Sequence, residues 1–495
     1  MKKIIPFCFF LFVFNILAQA QIYYNKNIPF DSTNLYNGYT NMIVDGDSIY
    51  CLGFNSITNG NGHYLDKFDS QANLVSRKSY SENNTYIYHG NEGSNFMKFG
   101  NYYIATGCSK EANNYYEGLV YKFDRNCDTV WVKKRSKLNA VGTAYRYSIK
   151  TSASTFVTLG DVAYYNSGIN FTFGQAYLVK FDTLANVIWE HEYGAALSSV
   201  LVQGIYPAAD GGFFIYGAKT NYQQYSQCYL LKVDSMGNQL WQRTWGNIYG
   251  DIILGFYEMP NGNLIVSGEI SDDFFGAEVH QAYLAMLTPN GSQRIWEKRF
   301  FWYINTYSLL QIFHNNNGTY DIWGFESNSD AGVDITRPFL MHFSANFDSL
   351  DTKYYSYWNG PGAKNYIIDI VKMPDQGYVA CGYGWDDNSD QDGWLLRIDS
   401  NGCANINCTP LAVEEVKINP EKFILAPNPT KDKISIQGNT NVTIKTVSVY
   451  DLTGHLIDVP ISLTELDISQ LSTGMYIIEV TDVNGNIQRL KALKE

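Results

Sequence analysis

The chain is poor in charge, and what charge it has leans acidic: 36 Lys and Arg stand against 48 Asp and Glu, together 17% of 495 residues. It has no basic cluster, so nucleic acid is not an expected partner. After the first twenty residues no apolar run is long enough to span a bilayer, which excludes a helical transmembrane segment from the expectation. Cysteine is sparse and scattered, at Cys51, Cys108, Cys127, Cys228, Cys381, Cys403 and Cys408 once Cys8 of the leader is set aside. Those intervals lack the short paired spacings of a metal cluster. The seven histidines are equally dispersed, and neither H-E-x-x-H nor G-x-S-x-G occurs. An enzyme is therefore left without a motif, although the paired acids of glycoside cleavage can lie far apart in sequence.

Aromatics are abundant: 39 Tyr, 28 Phe and 10 Trp among few charges favour strands, and an all-β protein is expected. Residues 1–20 read as a signal peptide, with Lys2 and Lys3, an apolar run from Ile4 to Leu17 and an Ala18-Gln19-Ala20 cleavage site. Its removal takes two positive charges, moving the formal net charge from −12 to −14.

A strand-turn-strand unit recurs along the chain. AYLVKFDTLANVIWEHEYG from Ala176 is the clearest copy, with relatives beginning at Gly118, Cys228 and Ala282 and fainter ones at His63, Phe339 and Trp394. Alignment on Leu65, Val120, Leu178, Leu230, Leu284, Leu340 and Leu395 gives seven copies with a period of about 55 residues. A looser strand pair ending at Gly precedes each, as in FYEMPNGNLIVSGEIS from Phe256. Four short strands repeated seven times predict a seven-bladed β-propeller over residues 21–408. The last hairpin, from Trp394, lacks its Trp-bearing fourth strand, so residues 22–28 are expected to close the ring by supplying it.

Residues 409–422 read as a linker, and alternation from Phe423 onward predicts a small β-sandwich. That second unit, 423–495, resembles the C-terminal sorting domain of proteins exported by the type IX secretion system of Bacteroidetes. The matching residues are Pro427-Asn428-Pro429, Asp451 and Gly454 within VYDLTG, Gly474 and Tyr476 within GMY, and Lys491 near the end. Ala426 and His455 depart from common family residues without breaking the strand pattern. The resemblance implies a partner, the type IX secretion machinery, and a location: secreted, or attached to the outer face of the outer membrane.

Within the repeat, Asp234, Gly237 and Trp241 show a D-x-x-G-x-x-x-W spacing that resembles the tryptophan-docking motif of quinoprotein-like propellers. There the Trp packs between blades, and the ion ligands a quinone would need are missing, so no cofactor is expected. In the loop DDNSDQDG, Asn388, Asp390 and Asp392 alternate as hard-oxygen calcium ligands would, while a solvated interblade loop explains them equally. Cys403 and Cys408 are close enough to form a local disulfide in an exported protein, the alternative being two buried thiols. Asp-Ser/Thr steps at Asp31, Asp47, Asp128, Asp182, Asp234 and Asp348 resemble the O-glycosylation acceptor of Bacteroidetes secreted proteins; four of the six sit in or near the hairpin turn, where turn chemistry is the alternative explanation. His191 and His342 read as surface or packing residues of strands. Tyr-rich loops from Asn113, Asn221 and Phe300 could stack on sugars or face a protein. The expected function is a surface or secreted binding module for a glycan or protein ligand; the alternative is a carbohydrate-active or other hydrolytic enzyme with acids at the propeller channel.

Overall fold

The computed structural model describes residues 22–494 except 31–35, 58–59, 81–85, 89–94, 111–115, 196, 222–224, 247–249, 275–276, 301–304, 329–334, 360–361, 387–389, 406–422, 439–443, 452–455, 458, 460–461, 463 and 484–486. The leader and the whole 409–422 linker thus lie outside the described residues. The chain divides into two compact units, 1–408 and 409–495.

In the first unit, antiparallel pairing sorts the strands into four-stranded meanders. The first runs through Tyr36–Asp45, Ser48–Ile57, Gly60–Asp69 and Leu74–Tyr80. The same order recurs over 96–135, 142–193, 198–245, 252–300 and 305–354. The seventh meander takes three strands from 364–398 and its fourth from the other end of the chain: Tyr24–Ile28 lies antiparallel to Asp392–Ile398, with Lys26 opposite Leu395.

The apolar cores lie between these sheets. Leu65 of the first sheet packs with Tyr103 and Phe123 of the second, whose Phe99 in turn meets Phe156 and Phe181 of the third. Leu178 of the third joins Leu231 of the fourth, Leu230 of the fourth joins Phe256 of the fifth, and Leu284 of the fifth joins Phe339 of the sixth. Leu340 of the sixth packs on Trp394 of the seventh, whose Leu395 meets Tyr39 and Phe68 of the first. Sheets that pack each on the next and the last on the first form a closed ring, so they are the blades of a β-propeller. Trp131, Trp189, Trp241 and Trp296 on outer strands lie half-buried against four of these interblade cores, where an indole adds both area and ring contacts.

Two local rules position the side chains. In six blades the inner strand carries a bulge, which leaves Thr40, Arg146, Gln203, Leu254, Leu310 and Ile368 without a residue opposite. The repeat's glycine admits it: a Cβ at Gly53, Gly160, Gly217, Gly268, Gly324 or Gly382 would come within 1.7–2.5 Å of an inner-strand carbonyl oxygen. The second rule concerns the turn before the outer strand. Asp69, Asp124, Asp182, Asp234 and Asp399 each accept the backbone N–H groups of residues two and four positions on. A base from the preceding blade then binds a turn carbonyl: Lys26 Nζ reaches Gln71 O at 2.7 Å, His191 Nε2 Met236 O at 2.9 Å and Lys298 Nζ Phe347 O at 2.7 Å.

The second unit has a three-stranded sheet (Phe423–Ala426, Lys433–Gly438, Glu465–Asp467) and a four-stranded one (Leu456–Ile457, Ile444–Tyr450, Gly474–Asp482, Ile487–Lys494). Ile434, Ile436 and Leu466 of one share a core with Val449, Ile478 and Val480 of the other, a small sandwich.

Candidate functional site

Among the described residues, two concavities of the propeller stand out as able to hold a ligand. The first is the central channel, where inner strands of blades 3 to 7 enclose about 230 Å³. The bulged Gln203, Leu254, Leu310 and Ile368 line it, so the repeat's glycine and bulge decide what the channel wall presents. Asp369, the residue after the bulge in blade 7, is the only carboxylate lining this cavity among the described residues. Burial lifts its carboxyl to about 6, although Met42 N at 2.8 Å and Ile370 N at 2.9 Å both donate to it. Blades 4 and 5 contribute Tyr206 and Phe256, with ring centroids 5.2 Å apart.

The second is an open groove of about 600 Å³ on blade 3. It exists because the middle two strands of that blade, Thr155–Asn166 and Phe171–Asp182, are twelve residues each and stay paired out to Asn166 and Phe171. Tyr164, Tyr165 and Phe173 supply aromatic surface, and Gln175, Glu192 and Asn166 supply polar groups. Tyr165 is 53% exposed. Each polar group is held in place. Tyr164 OH donates to Glu192 Oε2 at 2.8 Å, and Lys137 Nζ lies 3.0 Å from Glu192 Oε1. Gln175 Nε2 donates to Ala195 O and Ser198 O, both at 3.2 Å, which leaves its Oε1 as an acceptor in the groove. Gly194 allows this, since a Cβ there would overlap that same Oε1.

The residues singled out from sequence are placed as follows. Asn388 lies outside the described residues, and Asp390 is exposed. Asp392 accepts from Asn27 Nδ2 at 3.1 Å and Phe30 N at 3.2 Å, so its oxygens hold the N-terminal segment against blade 7. Cys403 is disulfide-bonded, while Cys408 lies outside the described residues. In the second unit, Asn428, between Pro427 and Pro429, ties the start of the sandwich to its last strand: its Nδ2 donates to the carbonyl of Lys491 at 2.7 Å and its Oδ1 accepts from Leu493 N at 2.8 Å. Tyr476 OH donates to Ser472 O at 2.8 Å, and Gly474 lies opposite Lys494. Asp451 is half-buried, and Gly454 is outside the described residues. The Tyr-rich loops fall partly outside as well, with Tyr225 exposed. Tyr164, Tyr165, Gln175 and Glu192 were not anticipated: they come from three strands, and the one signal for them is the unusual length of the blade 3 repeat before Ala176.

Residues 425–493 match the secretion system C-terminal sorting domain, so the chain is exported to the extracellular space or the cell surface. Among curated proteins nothing matches. Among solved structures, polysaccharide lyase Uly1 aligns at 9% identity over 78% of this chain and 93% of its own, with a TM-score of 0.47. The β-propeller domain of the Trilobed protease from Pyrococcus furiosus aligns at 9% over 76% and 99%, with a TM-score of 0.42. The Neurospora crassa Pan2 WD40 domain aligns at 8% over 74% and 94%, with a TM-score of 0.41. The propeller assignment rests on this chain's own strand pairing and interblade cores.

Proposed function

We propose that the exported propeller is a binding module whose recognition site is the blade 3 groove and whose ligand is an extracellular or surface glycan. The observation that carries this reading is the pairing of exposed aromatic surface with fixed hydrogen-bond acceptors in one open groove. A sugar ring offers a face of C–H groups and an edge of hydroxyls, and such a groove serves both, through Tyr165 below and through Gln175 Oε1 and Glu192 beside it. Lys137 offsets the charge of Glu192, so a neutral glycan meets no unbalanced carboxylate. Glycoside cleavage by the common two-carboxyl route would call for a second carboxyl facing Asp369, and among the described residues the cavity has one.

A glycan array followed by calorimetric titration with the exported chain tests this. Tyr165→Ala and Gln175→Ala should each weaken binding of the retained glycan at least about tenfold, a loss of about 1.4 kcal/mol. A glycan held equally well by both variants, or none retained at all, refutes the assignment.

A further inference from the structure

Asp369 poses a problem that the groove does not address. It is 7% exposed, lines the channel cavity and has no cationic partner among the described residues. Its two oxygens each accept one backbone N–H, from Met42 and Ile370, whereas a carboxylate has lone pairs for about four donors. An ionised carboxyl so placed lacks a countercharge, and two N–H groups offset only part of its lost hydration. The cavity wall mixes hydrocarbon with neutral polar groups: Leu254, Phe256, Leu310 and Ile368 line it together with Gln203, Gln311 and Tyr206.

We infer that the channel cavity binds a small organic ammonium ion, its nitrogen against Asp369 and its hydrocarbon body against Leu254, Leu310 and Phe256. Each feature of the cavity selects against another occupant. A divalent metal wants six or more hard oxygens, and beside Asp369 the lining side chains offer the amide oxygens of Gln203 and Gln311 and the phenols of Tyr147, Tyr206 and Tyr216. An anion would be repelled, and a neutral hydrocarbon would leave the carboxylate unpaired. An ammonium gains both a charge-assisted hydrogen bond and the aromatic faces opposite. The volume of about 230 Å³ limits it to a small amine. This site is independent of glycan binding on blade 3.

Thermal unfolding of the full exported chain at pH 8, where a carboxyl lifted to about 6 is ionised, provides the test. The probes are benzylammonium and butylammonium chloride, with benzyl alcohol, butanol and sodium chloride as controls. At millimolar concentrations the ammonium ions should raise Tm by a few degrees and the controls should not. Asp369→Asn keeps an oxygen for the Met42 N–H and should abolish the shift. Leu310→Trp fills the cavity while leaving the carboxyl in place, and should abolish it too. Should Asp369→Asn fail to fold, Leu310→Trp decides alone. Equal shifts with the alcohols, an unchanged shift in either folded variant, or no shift with either ammonium ion overturns the inference.

Discussion

His342 and Asp321 show how a buried pair sets a pH window. The His342 Nδ1 lies 2.6 Å from Asp321 Oδ1, and Tyr378 OH donates to Asp321 Oδ2 at 2.6 Å, joining blades 6 and 7. Burial opposes both charges, but their mutual hydrogen bond and attraction outweigh it: Asp321 is lowered from 3.8 and His342 raised from 6.5. Asp351 adds to the pull on His342, and Lys353 opposes it. A raised histidine contributes stability that is complete below its unfolded value of 6.5 and fades as pH rises through its folded value; a lowered aspartate contributes above 3.8 and fades toward acid. His342→Ala leaves Asp321 buried without its partner, so at pH 6 it should cost about 3–5 kcal/mol. Urea unfolding should show a smaller loss at pH 8.5, and an equal loss at both pH values would mean that the imidazole stays neutral. Sequence alone reads His342 as an ordinary strand residue, because Asp321 stands 21 positions away on the neighbouring strand and no spacing links the two.

At the level of the hairpin, local chemistry was legible and register was not. The aspartate turn and the outer tryptophan announce themselves, since each acts within a few residues of its own position. The bulge is set by how two strands pair, and in sequence it leaves only a recurrent glycine whose purpose is invisible there. The blade 3 groove was hidden for the same reason: Tyr164 and Tyr165, Gln175 and Glu192 meet only through cross-strand pairing. The glycine can be tested directly. At Gly160 an added methyl would sit 1.7 Å from Ala144 O, whereas at Gly174, on the next strand, nothing lies within 4 Å. Gly160→Ala should therefore destabilise the chain by about 1–3 kcal/mol through forced backbone movement. Gly174→Ala should fall within about 0.5 kcal/mol of the parent. Matching unfolding midpoints for the two variants would show that the inner strand yields without cost and that the glycine does not define the bulge.

For the propeller as a whole, the seventh blade differs from the other six in being completed by strand pairing between the propeller's two ends. Tyr24 and Ile28 are buried there beside Tyr39, Leu395 and Cys381, while Trp394 Nε1 donates to Asn25 Oδ1 at 2.6 Å. Tyr24–Ile28 joins its blade by pairing and packing and not by a hairpin, whereas every other outer strand follows its neighbour directly in sequence. Opening should therefore begin at this seam, where the fewest covalent connections resist it. Ile28→Ala removes buried methyl groups from the seam and should cost about 2–5 kcal/mol. In hydrogen exchange its amides at Asp392–Ile398 should lose protection well before those of Gln227–Val233 in blade 4, which lie across the ring and keep both their neighbours. If both segments lose protection together, the ring opens only as a whole, and the pairing of the two ends is no weaker than the continuous blades.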